Sequence, residues 1–313
     1  MPDQPADTQH SALSTHRSLD THRSSLIAQH SLSRFREAAE RNDSLLCVGL
    51  DPDVARFPAA LRARCADDPA GAIVAFNRAI VEATADLVCA YKPNLGFYAA
   101  FGPAGLVALA ETRRLIPPAI PALLDAKVND IGHTAAAYAT GYFDAFGFDA
   151  VTANPYLGED ALQPFLERRD RGVFVLCRTS NPGSGDLQGL AVAGDEGGPL
   201  YETVARRIAA WGERYGGCGA VVGATYPREL AAVRAILPDA PILVPGIGAQ
   251  GGALAETVRA GLDADGFGLA INASRAVTYA SAGADFADAA RRAAQELRAA
   301  INAERANVLA GRR

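Results

Sequence analysis

Leu123 to Thr134 reads L-L-D-A-K-V-N-D-I-G-H-T, an apolar run that turns charged at Asp125 and sets Lys127 between Asp125 and Asp130. Side chains alternate faces along a strand, so Asp125 and Lys127 point the same way and place a carboxylate beside an ammonium. The sequence has 30 Lys+Arg, yet only Lys92 and Lys127 are lysines. Lysine can give up a proton, which arginine cannot. A carboxylate flanked by ammonium groups stays ionised, and an ammonium flanked by carboxylates stays protonated. Such an array suits a substrate that loses one charge and gains one proton. It does not suit a Schiff-base lysine, which must be neutral to attack. Taken alone, D-x-K-x-x-D also fits a solvated charge cluster, so its surroundings decide.

A second set of residues points to an anion. Pro245 to Gly252 reads P-G-I-G-A-Q-G-G, and Asn272 to Arg275 reads N-A-S-R. Glycines let backbone N–H groups approach a phosphate, and a following helix N-terminus adds a favourable dipole. Arg275 can supply a bidentate clamp. Other chemistries are poorly provided for. Four of the five histidines (His10, His16, His22, His30) lie in the first thirty residues, leaving only His133 in the body of the chain. A His-rich metal site or a Ser/His/Asp triad is therefore not expected. The five cysteines are dispersed without C-x-x-C spacing and read as free thiols of a cytoplasmic protein.

The elements that must position these groups repeat. Short apolar strands are expected over 45–51, 87–92, 122–127, 150–153, 173–179, 220–223, 242–244 and 266–271, with helix-period, Ala-rich segments between them. Nearly all-apolar strands alternating with helices mean a parallel sheet covered by helices. Eight repeats give an α/β fold of the (β/α)8 TIM-barrel type, phosphate-binding by its last two loops. In that fold chemistry sits at the strand C-termini, where Asp51, Lys92, Asp125, Lys127, Asn154, Ser180, Gln250 and Arg275 fall. An open doubly wound sheet needs a glycine-rich turn after an early strand, and Gly49-Leu50-Asp51-Pro52 is not one.

Residues 1–30 are rich in Ser, Thr and His and read as a disordered tail with no secretory h-region, and 31–313 as the catalytic barrel. A net charge of −5 gives no reason to expect nucleic acid or an anionic membrane as partner. No apolar run approaches a membrane span. Asn181 to Leu200, Gly-rich and long for a βα loop, is a candidate lid, as is the loop after the seventh strand.

D-A-K-V-N-D-I, together with Gly49-Leu50-Asp51, Tyr91-Lys92-Pro93-Asn94, Ser180-Asn181-Pro182 and P-G-I-G-A-Q-G-G, resembles the orotidine 5′-phosphate decarboxylase family over about residues 35 to 300. The forms K-P-N, T-S-N-P-G-S-G-D-L-Q and G-A-Q-G-G resemble its mycobacterial-like bacterial subgroup. Val128-Asn129 and His133 depart from that pattern. The resemblance implies conversion of orotidine 5′-phosphate to uridine 5′-phosphate and CO2 without metal or organic cofactor. By it, Asp125 faces the substrate carboxylate and Lys127 protonates C6. Asp51 and Lys92 contact the ribose, Ser180 the pyrimidine edge, and Gln250 and Arg275 the phosphate, with Ser274 also substrate-binding. Asp130 would reach a second subunit's site, implying a homodimer with shared active sites, and Thr134 joins the substrate-binding set. Two alternatives stay open: a magnesium-dependent sugar-phosphate decarboxylase or aldolase of the same barrel group, and a non-catalytic nucleotide-binding barrel.

Overall fold

The structure is a computed structural model and describes residues 32–194, 197–247 and 252–312. The expected N-terminal tail and residues 248–251 of the glycine loop, Gln250 among them, lie outside the described residues. Eight strands alternate with helices: β1 (Leu46–Gly49), β2 (Ala90–Lys92), β3 (Leu123–Val128), β4 (Ala150–Ala153), β5 (Gly172–Arg178), β6 (Cys218–Val222), β7 (Ile242–Pro245) and β8 (Leu269–Ala273). All the ladders are parallel, in the order β2-β1-β8-β7-β6-β5-β4-β3. The two ends of that order meet through the isolated parallel bridges Tyr91↔Ala122 and Asn94↔Asp125. Their bonds are Tyr91 N–H to the Pro121 carbonyl at 3.0 Å and Asp125 N–H to the Pro93 carbonyl at 2.9 Å. The (β/α)8 barrel is thus closed at a thin seam.

The lower end of β3 is fixed by Asp149, which precedes β4. Its buried carboxylate accepts from the Ala122 N–H at 2.9 Å and pairs with Arg113 at 3.2 Å and with Arg34. Farther up, the regular alternation breaks. Leu124 is opposite Val151 but Val128 is opposite Ala153, so four residues of β3 advance as far as two of β4. Extra residues of this kind bend a strand and re-aim its side chains. Lys127 lies in this bulge with φ of 49°, one of two left-handed non-glycine residues among those described.

Outside the barrel, the ring of Phe76 stacks on Phe57, Tyr279 and Phe286 with centroids 4.2, 5.5 and 5.2 Å apart. Each such pair contributes roughly 0.5–1.5 kcal/mol beyond area burial. The cluster ties the Pro69–Thr84 helix to the long Phe286–Gly311 helix. It also fixes Tyr279, whose hydroxyl reaches the end of β1.

Several expectations about elements change: β1 ends at Gly49 rather than 51, and β2 starts at Ala90 rather than 87. β8 starts at Leu269, not 266, because Gly266 and Gly268 have φ of 81° and 78° and form a turn. It also runs on to Ala273, since Asn272 and Ala273 pair with Cys47 and Val48 of β1. Much of Asn181–Leu200 is locally folded, with a 3₁₀ turn (Pro182–Ser184), a short helix (Gly185–Gln188) and an Ala191↔Pro199 bridge, while residues 195–196 lie outside the described residues. No helix among the described residues is long and apolar enough to cross a membrane.

Candidate active site

The Asp125 carboxylate sits at the seam and receives four donors. Oδ2 accepts from Lys92 Nζ and from Asn94 Nδ2, both at 3.0 Å. Oδ1 accepts from Lys127 Nζ at 2.6 Å and from the Thr152 hydroxyl at 2.9 Å. Each oxygen thus has one cation and one neutral donor, which fixes the plane of the carboxylate as well as its charge. Asn94 is itself held, because its Oδ1 caps the Leu95–Ala99 helix by accepting from the Gly96 N–H at 3.0 Å.

Burial works to raise the Asp125 pKa, but the Lys92 and Lys127 ammonium groups outweigh it and hold the carboxylate far below the usual range. Burial likewise works to lower Lys92, and Asp125 and Asp51 reverse it, so that its pKa is raised. Lys92 is 4% exposed at its side chain and Lys127 49%, so one ammonium is held in a buried position and the other is half-exposed. A neighbouring thiol is inert. Burial first, and then the Asp51 and Asp125 carboxylates against Lys92, leave Cys47 at about 12.

The expected Asp125–Lys127 contact is present, although alternation is not its cause. Lys127 occupies the bulge, and its backbone N–H donates to Thr152 Oγ1 at 2.9 Å. A left-handed conformation costs a β-region residue about 1–3 kcal/mol and persists only where its surroundings fix it.

Next to this cluster lies a cleft of about 470 Å³ lined by Asp51, Gly246, Asn272, Ser274, Arg275 and Tyr279, among others. Asp51 is held by its backbone: the Tyr279 hydroxyl donates to its carbonyl at 2.8 Å and accepts from the Asp53 N–H at 2.6 Å. The preceding Leu50 carbonyl accepts from Tyr98 at 2.9 Å. Gly49 is required below them, since a Cβ there would lie 1.8 Å from Ser274 Oγ and 3.2 Å from Asp51 Oδ2. Asp51 Oδ1 and Asn272 Oδ1 are buried without a partner, and a buried unpaired acceptor costs about 1–3 kcal/mol until a donor arrives. Arg275 is exposed, opens the Arg275–Thr278 helix, and pairs with no carboxylate among the described residues. The cleft therefore combines acceptors suited to hydroxyl groups with a free guanidinium suited to an anion.

Ser180 closes another side. It packs beside Gly246, where a Cβ would lie 3.7 Å from its own, and against Gly223, where no Cβ fits. Its loop is tied down by Gln188, whose Oε1 accepts from the Thr179 N–H at 2.8 Å. Asp130 and Thr134 are not drawn into the cluster of their own chain. Asp130 accepts from the adjacent Ile131 N–H at 2.8 Å, and Thr134 lies exposed on the Gly132–Ala139 helix.

Asn94, Thr152 and Asn272 are the members of the site that motif reasoning passed over as chemistry. Thr152 and Asn272 each carried a usable signal, a polar side chain inside an otherwise apolar strand: A-V-T-A in β4 and L-A-I-N-A in β8.

Comparison with known proteins gives the family. The model of the orotidine 5′-phosphate decarboxylase / HUMPS family matches residues 44–293. An orotidine 5′-phosphate decarboxylase of Thermomicrobium roseum is 56% identical over 275 residues, 88% of this chain and 96% of that protein. One from Azoarcus sp. is 52% identical over 277 residues, 88% of this chain and all of that protein. Among solved structures, the OMP decarboxylase of Leishmania donovani superposes with a TM-score of 0.75 at 45% identity, covering 88% of this chain and 98% of that one. The UMP synthase of the same organism gives 0.76 at 47%, over 88% of this chain and 56% of its own. The chain belongs to the orotidine 5′-phosphate decarboxylase / HUMPS family.

Proposed function

We propose that the chain decarboxylates orotidine 5′-phosphate to uridine 5′-phosphate and CO2, the last step of de novo pyrimidine biosynthesis. The observation that carries this reading is the Asp125 carboxylate, ionised and immobilised between Lys92 and Lys127 beside a cleft that ends in Arg275.

Asp125 faces the substrate carboxylate, a like-charge contact relieved when CO2 leaves. The C6–carboxylate bond breaks, its electron pair stays on C6, and Lys127 Nζ delivers the proton that completes uridine 5′-phosphate. Solvent returns a proton to Lys127, whose half-exposed side chain permits it. A preorganised ammonium beside C6 stabilises the developing negative charge without reorganising at the moment of reaction.

Asp51 and Lys92 take the ribose hydroxyls, Ser180 the pyrimidine edge, and Gln250, Ser274 and Arg275 the phosphate. Phosphate contacts distant from C6 contribute to the chemical step by holding the reacting carbon against Lys127. Asp130 serves the site of a second copy, which accounts for its position away from its own cluster and implies a homodimer with shared sites, and Thr134 belongs to the substrate-binding set. Five free cysteines, four of them buried, support a reducing cytoplasmic setting.

The test is a spectrophotometric assay on orotidine 5′-phosphate, with and without EDTA. EDTA-insensitive release of CO2 is expected. No turnover would refute the reading, and loss of turnover in EDTA would favour a magnesium-dependent relative.

A further inference from the structure

Thr152 belongs to no motif used above, yet it is fully buried and touches both members of the reacting pair. Chemistry fixes the direction of its two bonds. The Lys127 backbone N–H can only donate, so Thr152 Oγ1 accepts there, at 2.9 Å. The ionised Asp125 carboxylate can only accept, so the single hydroxyl proton points to Oδ1, also at 2.9 Å. Lys127 Nζ reaches the same Oδ1 at 2.6 Å. The backbone nitrogen and the side-chain nitrogen of Lys127 are therefore both tied into one ring through one hydroxyl and one carboxylate oxygen.

That ring answers a specific difficulty. Lys127 sits in a bulge, in a left-handed conformation, with half its flexible side chain exposed. None of these features by itself holds an ammonium still. β4 supplies the missing restraint from a regular, buried position opposite Phe174 of β5. We propose that Thr152 is a positioning residue for proton delivery: its hydroxyl holds the Lys127 turn and the Asp125 carboxylate in the one arrangement that aims Nζ at the reacting carbon.

The inference rests on the decarboxylase reading and deepens it. Thr152→Val keeps the shape and removes the hydroxyl. Its kcat is expected to fall about 30- to 100-fold, the size of effect that follows roughly 1 Å of misplacement. KM and the affinity for uridine 5′-phosphate, set by cleft residues that Thr152 does not touch, are expected to stay within about threefold. Thr152→Ser restores the hydroxyl and should recover most of the lost kcat. Thr152→Ser and Thr152→Ala differ by one oxygen and avoid overpacking, so that pair gives the same comparison if the valine variant does not fold.

Full kcat in Thr152→Val, a loss confined to KM, or a serine variant as slow as the alanine one would each overturn the role of Thr152. Wild-type protein that releases no CO2 would overturn the decarboxylase reading instead, so the two failures are told apart by the wild-type rate.

Discussion

The Lys92 ammonium and the Asp125 carboxylate meet at 3.0 Å across the seam where β2 and β3 are joined by two isolated bridges and no ladder. The pair therefore joins the barrel as well as carrying charge. Both groups are buried, and removing one partner of a buried pair strands the other. Asp125→Asn should lower unfolding free energy by about 3–5 kcal/mol, whereas Lys92→Met leaves Asp125 with Lys127, Asn94 and Thr152 and should cost less. Urea titration checks this, and a loss below about 1 kcal/mol would show that the seam does not depend on the pair.

Lys127 pairs with Asp125, keeps a half-exposed side chain and is the expected proton donor. Lys127→Ala should lower turnover by at least about 10²–10⁴-fold, the range for a positioned general acid. Uridine 5′-phosphate should still bind, measured by calorimetry. Substantial residual turnover would sink the role.

Arg275 has no carboxylate partner among the described residues and lines the cleft beside Ser274 and Gly246. A hydrogen bond to a charged group contributes about 1.5–3 kcal/mol. Arg275→Ala should accordingly weaken uridine 5′-phosphate binding roughly 10- to 100-fold. Uridine, lacking the phosphate, should bind both forms alike, and equal losses for the two ligands would place the phosphate elsewhere.

The pH dependence follows from two shifts of opposite sense. Asp125 is depressed, so its stabilisation is present above the ordinary carboxylate range and is lost only as pH falls through the lower folded value. Lys92 is raised, so its stabilisation is complete below the ordinary lysine value and is lost as pH rises through the higher folded one. Neither group changes charge between roughly pH 5 and 9. kcat at saturating substrate should show no inflection from either group in that window. An inflection abolished by substituting Asp125 or Lys92 would contradict the assignment.

Asp130 makes no contact with Lys127 of its own chain, as expected if it completes a neighbour's site. Mixing inactive Asp130→Ala with inactive Lys127→Ala protein should restore up to about a quarter of wild-type activity, the share of intact sites when two subunits pair at random and each site draws on both. No complementation would mean that each site is complete within one subunit.

Much of the site was legible in the residues themselves. A sequence that uses arginine nearly everywhere and keeps lysine only at Lys92 and Lys127 singles out both ammonium groups, and both reach Asp125. Apolar strands ending in polar residues foretold the barrel and the rim on which Asp51, Lys92 and Arg275 stand, because burial on both faces leaves polar groups only at strand ends.

Tertiary structure decided the rest. Alternation predicted that Asp125 and Lys127 share a face, yet the contact is made through a bulge whose register is set against β4. Nothing within L-L-D-A-K-V encodes that. Thr152 lies 27 residues from Asp125 in sequence and 2.9 Å from it in space. Asn272, read from sequence as part of the loop after β8, lies inside that strand because β8 pairs with β1 as far as Ala273. Local pattern determines which residues are polar, buried and at a strand end, because those properties depend on a residue and its near neighbours. Which hydroxyl meets which carboxylate depends on how separate strands are registered, and closure of the barrel alone fixes that.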